Sequence, residues 1–248
     1  NSPDDIIKCY KKIASIDSKT GEIYKVKILE FFNTQSKKFY DNEDYKLAIK
    51  YYDALLEFTP TSIPIWHNKG YVLYTIKNYL EAIECYDKIL EIDPKNTDAW
   101  ISKGASLAGL YKYDEAIKCY DKALEIDPKN TDAWISKGAS VAGLYNKYKG
   151  ASLAGLYKYD EDEAIKCYDK ALEIDPKNTY AWISKISYLD EIEKYDEAFK
   201  YCNKALEIDH YNADAWASKG WTLFKIEKYD EAIECYDEAL KIRPDDPY

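Results

Sequence analysis

With 248 residues, 46% of them hydrophobic and 32% charged, the chain carries enough apolar material to fold, which excludes the disordered, low-hydrophobicity class. Glycine and proline are sparse, at 9 and 8 residues, and no run of about 18 apolar residues occurs, so an all-helical protein outside the bilayer is expected. A net charge of -10, with no cluster of Lys and Arg interleaved with aromatics, argues against a nucleic-acid partner.

In chain order, the opening NSPDDIIKCYKK lacks the basic start, apolar core and small-residue cleavage site of a secretory signal. Residues 4–17, DDIIKCYKKIASID, match the later DEAIKCYDKALEID and predict a half repeat: a second helix with no first helix before it. Together with the complete absence of Met, that predicts a longer parent chain. Residues 18–60 form the expected repeat 1. After SKTG they predict a long first helix over 22–40, with Phe32 in the place that Trp holds later.

Residues 61–94 and 95–128 are the expected repeats 2 and 3. Trp66, Trp100 and Trp134 recur every 34 residues, and Trp182 and Trp216 repeat that interval. Prolines keep the same beat at Pro60, Pro94, Pro128, Pro176 and Pro244, with His210 standing in once. Within one unit, Trp100, Leu107 and Leu110 fall at helical spacing, as do Ala116, Ile117, Tyr120, Ala123 and Leu124. DPKNTDA stops one helix at a proline and offers Asn or Thr as the next cap, while YKYDEA offers Asp114 as the cap of the second helix. Small residues are expected to face each other across each pair: Gly70 and Ala82, Gly104 and Ala116, Gly220 and Ala232.

Residues 129–176 are repeat 4, lengthened by 14 residues through a tandem copy (137–148, then 149–159) and a doubled DE. The extra residues are good helix material, which favours a lengthened first helix; a loop broken at NKYKG and an exchange of helices between two chains are the alternatives. Fourteen residues add about 21 Å and return the apolar stripe to within about 40° of its phase. The expected outcome is a helix whose last half pairs with its own second helix, a displaced following repeat, and a stack divided at that joint. Repeats 5 and 6 follow at 177–210 and 211–244, and Ile186 replaces the close-approach glycine, which implies helices moved apart.

The stretch AWISKGASLAGLYKYDEAIKCYDKALEIDP, with its Trp, Gly, Leu, Ala, Tyr, Ala and Pro at set places, resembles the 34-residue signature of the tetratricopeptide repeat (TPR) family, and the resemblance covers nearly the whole chain. It implies an all-α, right-handed α-solenoid of stacked antiparallel helix pairs, perturbed by the insertion in the fourth full repeat. It further implies a non-enzymatic, cytoplasmic scaffold that binds a protein, peptide or helix in a concave groove lined by first helices. The groove residues carried over are Asn68, Tyr71 and Tyr74; Ile101, Ser102 and Ala105; Ile135 and Ser136; Ile183 and Ser184; then Trp221 and Phe224, with Ser187, Asp190 and Asp214 among their neighbours. Of the Lys, Arg and Asn clamp that family members use on acidic chaperone tails, only Asn68 is present, so that partner is disfavoured.

Catalytic chemistry finds little support. GASLAG lacks the Lys and Ser or Thr of a phosphate loop and sits mid-helix. His67 and His210 stand far apart in the repeat scheme, and paired carboxylates such as Asp114 and Glu115 read as helix starts. Cys9, Cys85, Cys119, Cys167 and Cys235 occupy one equivalent place on the second helices, spaced too widely for a shared metal, and read as small buried residues; no metal and no cofactor are expected. Two further readings stay open: a self-assembling unit, a homo-oligomer built through uncapped ends or a swapped long helix, and a recruiting segment of a larger enzyme.

Overall fold

The computed structural model describes residues 3–153 and 162–244, and 13 α-helices and no strands lie among them. They are α1 (Pro3–Ile16), α2 (Ser18–Asp41), α3 (Tyr45–Phe58), α4 (Ile63–Thr75), α5 (Tyr79–Ile92), α6 (Thr97–Gly109), α7 (Tyr113–Ile126), α8 (Thr131–Leu153), α9 (Asp162–Ile174), α10 (Thr179–Glu191), α11 (Tyr195–Ile208), α12 (Ala213–Lys225) and α13 (Tyr229–Ile242). The chain divides into two compact units, Asn1–Cys119 and Tyr120–Tyr248, each an all-α solenoid of stacked antiparallel helix pairs. The division falls within α7 and not at the lengthened repeat, where the sequence placed it.

The repeat is built from two kinds of turn. Between paired helices, Glu43, Lys77, Tyr111, Glu193 and Glu227 take positive φ near 60°, and the next residue donates its N–H to a carbonyl five residues back, as from Asn78 to Leu73 at 2.8 Å and Lys112 to Leu107 at 3.0 Å. That is a Schellman-type stop, which satisfies carbonyls the helix end would leave bare. Each of these residues lies 11 positions after Trp or Phe32, so Phe32 does hold the Trp place, buried at 0% exposure.

Between repeats, Asn96, Asn130, Asn178 and Asn212 accept from the N–H three residues on, at 2.8–2.9 Å, as the sequence anticipates. Trp66, Trp100, Trp134, Trp182 and Trp216 each donate the indole N–H to the carbonyl six residues back, at 2.8–3.0 Å, tying each first helix to the turn that delivers it. A second recurrent tie escaped the sequence reading. Lys69, Lys103, Lys137 and Lys185 each bridge the Asp 16 residues earlier, Asp53, Asp87, Asp121 and Asp169, at 2.5–2.8 Å, linking a first helix to the preceding second helix.

Several expectations are corrected. SKTG lies inside α2, which starts at Ser18. Asp17 opens that helix: its carbonyl accepts from the Gly21 N–H at 2.9 Å, and its carboxylate accepts from the Thr20 hydroxyl. Asp114 does not cap α7, because that helix already starts at Tyr113; the carbonyl of Lys112 accepts from Ala116 at 3.0 Å, and Asp114 serves only as a first-turn charge favoured by the helix dipole. The close-approach glycines face tyrosine rings rather than alanines. A Cβ at Gly70, Gly138 or Gly220 would come within 2.8–2.9 Å of Tyr86, Tyr168 or Tyr236.

α8 runs unbroken through NKYKG, so the chain does not break there; residues 154–161, where helical continuity into the doubled DE was anticipated, lie outside the described residues. The first half of α8 pairs with α9, through Gly138 on Tyr168; the side chains of residues 149–153, on which the expected pairing of the last half would rest, lie outside the described residues. At Tyr145, where other repeats turn, the helix simply continues. Its overhang meets the end of α10, with Tyr145 edge-on to Tyr188 at 6.2 Å and Asn146 donating to Glu191 at 2.8 Å. The step from α9 to α10 keeps the usual ties, Trp182 to Pro176 and Lys185 to Asp169, so that step shows no displacement. Ile186 in the glycine place goes with a looser pairing: α10 and α11 approach each other less closely along their length than α2 and α3, α4 and α5, α8 and α9, or α12 and α13, as the sequence anticipates. Ile186 is fully buried with Cys202, which holds the place of the facing tyrosine in other repeats.

Candidate peptide-binding cleft

The predicted groove residues fall into two sets, one per unit. In the first unit, Tyr71 and Tyr74 are 50% and 37% exposed and Asn68 is exposed, while Ile101, Ser102 and Ala105 are half-buried. Asn68 and Tyr71 line a hollow of about 390 Å³ together with Asn33, Ser36, Lys37 and Tyr40. Burial and a hydrogen bond with Tyr71 push the Tyr40 phenol up. Ser102 is engaged with the Tyr86 hydroxyl, and the Tyr79 ring lies over Gly109, so the floor here is closed by second-helix tyrosines.

In the second unit, Ile135 is buried at 1%, inside a cluster with Ala142, Tyr145 and Tyr188, so it is core rather than groove. The reason is local: where a regular repeat turns away, the α8 continuation keeps Tyr145 helical, and it packs against Tyr188. Ser136, Ile183 and Ser184 are half-buried, and Trp221 and Phe224 are both 47% exposed. Those two rings stack at 5.9 Å and 22°, with the Lys225 ammonium 4.8 Å from the Trp221 ring centre.

Beside them opens a cleft of about 630 Å³. Its walls come from α10 (Ile183, Ser187, Asp190), α12 (Ala213, Asp214, Ala217, Ser218, Trp221), α13 (Tyr236, Ala239, Leu240) and Arg243 just past it. Ala217 and Ser218 keep the floor low, and Trp221 and Leu240 offer apolar wall. At one side Arg243 donates to Asp214 at 3.1 Å. The α13 contribution was not anticipated, because the family resemblance points only to first helices.

Asp190 is the unusual member. It is only 6% exposed, and burial pushes its carboxyl up to about 6, opposed by the Thr222 hydrogen bond and by Lys225. The Thr222 hydroxyl lies 3.1 and 3.0 Å from the two Asp190 oxygens and 3.0 Å from the Ser218 carbonyl. The sequence showed an Asp where equivalent positions hold Tyr74, Ala108 and Phe224, and that departure was the available signal.

Of the other chemistry-bearing groups, most cysteines and both histidines are packed against neighbours. Cys85, Cys119, Cys167, Cys202 and Cys235 are buried, whereas Cys9 is exposed, contrary to the reading of that position as a buried small residue. Burial pushes the thiols of Cys85 and Cys202 up to about 12 and those of Cys119 and Cys167 up to about 11, so they stay protonated and unreactive. His67 packs edge-on against Tyr86, and His210 against Trp216. Among the described residues no group of His, Cys, Asp and Glu could hold a metal ion, and no helix is long and apolar enough to cross a membrane.

Models of the tetratricopeptide repeat match residues 63–96, 97–130, 213–246 and 156–178, about half of the chain. A model of the protein prenyltransferase alpha subunit repeat matches residues 195–226. Curated proteins yield no match. Solved structures share the fold. A tetratricopeptide repeat protein from Parabacteroides merdae ATCC 43184 is 18% identical, with a TM-score of 0.67, covering 87% of this chain and 80% of its own. MamA is 23% identical, with a TM-score of 0.58 and coverage of 75% and 94%. YrrB, described as a TPR protein with an unusual peptide-binding site, is 24% identical, with a TM-score of 0.51 and coverage of 78% and 93%. Period, turn chemistry and matched models agree that the chain belongs to the tetratricopeptide repeat family, with the protein-interaction scaffold that such repeats provide.

Proposed function

We propose that the protein is a non-enzymatic scaffold that binds an extended or helical peptide segment of a partner in the α10–α12–α13 cleft. The observation that carries this reading is the stacked, half-exposed Trp221 and Phe224 beside a cleft floored by Ala217 and Ser218. A low floor lets a backbone approach closely, and aromatic rings held rigid against each other supply most of the affinity of such contacts. YrrB, alike in fold, carries a peptide-binding site of its own. The protonated thiols and the packed histidines support the non-enzymatic part of the reading, and unpaired cysteines suit a reducing, cytoplasmic setting. The acidic chaperone tail stays disfavoured, since Asp190 and Asp214 both line the cleft.

Panning a random dodecapeptide library over the full chain tests this. Enriched peptides are expected to lose at least tenfold in affinity on the Trp221→Ala/Phe224→Ala variant, whose far-ultraviolet circular dichroism stays unchanged. Absence of enrichment, or binding that survives the double substitution, overturns it. A second reading, self-association through α13, is favoured by Ile233 and Leu240, 57% and 43% exposed on that helix. Mass that rises with concentration in light scattering, and that is abolished by Ile233→Glu, would select it.

A further inference from the structure

We propose that the α10–α12–α13 cleft selects segments that place an arginine or lysine side chain against Asp190; the inference rests on the peptide-binding reading above. A carboxylate at this place is a departure within the chain's own repeats, whose equivalent residues are aromatic or alanine. It is more than nine-tenths buried and forms part of the cleft wall. A buried carboxylate costs free energy unless it is well hydrogen-bonded or paired with a cation.

Its partners leave that requirement unmet. Thr222 has one hydroxyl proton to divide among both Asp190 oxygens and the Ser218 carbonyl, whereas an ionised carboxylate has about four acceptor sites. Among the described residues no ion pair reaches Asp190. Titratable and charged groups approach it from α11, α12 and α13. From α12, Lys225 lowers the Asp190 pKa, but its ammonium stands over the Trp221 ring, and Asp214 is engaged with Arg243, which lies just past α13. From α11 comes the protonated Cys202 thiol, and from α13 the Tyr236 phenol, whose pKa burial raises.

An incoming arginine or lysine completes the site. Its aliphatic stem can lie along Ile183, Ala217 and Leu240 while its charged head reaches the carboxylate, the division of labour that long basic side chains show at apolar surfaces. Charge-assisted hydrogen bonds of this kind are roughly twice as strong as neutral ones. A glutamate in the same place would face Asp190 as a like charge in a poorly solvated cleft. Because the cation requires the ionised carboxylate, and free Asp190 titrates at about 6, binding is full above that pH and is lost as the pH falls through it.

The test uses four immobilised pools of decapeptides, random except for a central Arg, Lys, Glu or Leu, and the full chain as analyte. At pH 7.5 the Arg and Lys pools are expected to retain about tenfold more protein than the Glu and Leu pools, a margin that shrinks several-fold by pH 5. Asp190→Asn, which keeps the shape and the Thr222 contact, should erase the preference. Asp98→Asn, which makes the same change of net charge far along the sequence in α6, should leave it intact. Equal retention of the Arg and Leu pools, a preference that survives Asp190→Asn, or one lost equally with Asp98→Asn overturns the inference while leaving peptide binding in place. Retention of no pool removes both.

Discussion

A single exchange of neighbours shows how the repeats tolerate variation. In three repeats a first-helix glycine lies under a second-helix tyrosine, Gly70 under Tyr86, Gly138 under Tyr168 and Gly220 under Tyr236. In the fifth repeat the large residue changes sides. Ile186 takes the glycine place, and KYCNK reverses the usual order KCYDK, so that Cys202 takes the tyrosine place and Tyr201 the cysteine place. Ile186 and Cys202 are both 0% exposed in one cluster, while the displaced Tyr201 ring covers Lys185, whose ammonium lies 3.7 Å from the ring centre. The volumes compensate, which fixes the expected energetics. Ile186→Gly should cost about 3–5 kcal/mol, from the cavity and from glycine in a helix. Cys202→Tyr should cost about 1–3 kcal/mol by overpacking. The double variant should cost at least about 2 kcal/mol less than the sum, a coupling that denaturant titration of the four proteins measures directly. Additive losses would mean that the two side chains do not share one space.

At the scale of helices, the turn 11 residues after each Trp decides where a repeat folds back. Five such positions hold non-glycine residues with φ near 60°, a conformation that disfavours L side chains by about 1–2 kcal/mol. The helix stop must therefore be enforced by the packing of the next helix onto the last, rather than by the turn residue itself. Tyr145 shows the consequence: the tyrosine that turns at position 111 continues a helix at 145, because another copy of helix-forming residues comes directly after it. This is also why the lengthened helix was legible in the sequence while its partner was not. Composition reports helix, but which half of α8 meets α9 depends on Gly138 and Tyr168, whose match to Gly70 and Tyr86 becomes visible only when the insertion is placed after the glycine. The same limit applies to the cleft. First-helix positions such as Ile183 and Trp221 follow from the period, whereas the burial of Ile135 and Asp190 depends on neighbours from other helices. Removing residues 146–157 and 160–161 joins Tyr145 directly to KYDEA and should restore the turn. Since the α8–α9 pairing lies before the cut, the shortened protein should keep its cooperative melting transition within a few degrees. It should lose the helical signal of the overhang, with its Asn146–Glu191 bond and the Tyr145–Tyr188 contact. A shortened protein that is molten or insoluble would show that the overhang carries part of the core.

For the whole molecule, stability is expected to be distributed along the stack rather than held in one centre. Within each unit the helices meet chiefly their sequence neighbours: α1 packs on α2 and α3, and α13 on α12, while α10 meets α8, α9, α11 and α12. The Trp-to-carbonyl and Lys–Asp ties likewise join adjacent elements only. An array of this kind opens from its ends and from its weakest junctions, with free energies that approach those of neighbouring interfaces rather than one global value. Native-state hydrogen exchange can read this helix by helix. Amides of α1, whose Cys9 is exposed where equivalent cysteines are buried, should exchange through openings of markedly lower free energy than those of α10 and α11. Those two helices surround Ile186, Leu189 and Cys202, all fully buried. Ile186→Gly should then lower protection in α10 and α11 by nearly its full cost while leaving α1 and α3 close to unchanged. Uniform loss of protection in every helix would instead require a single cooperative unit, and the nearest-neighbour account of this chain would fail.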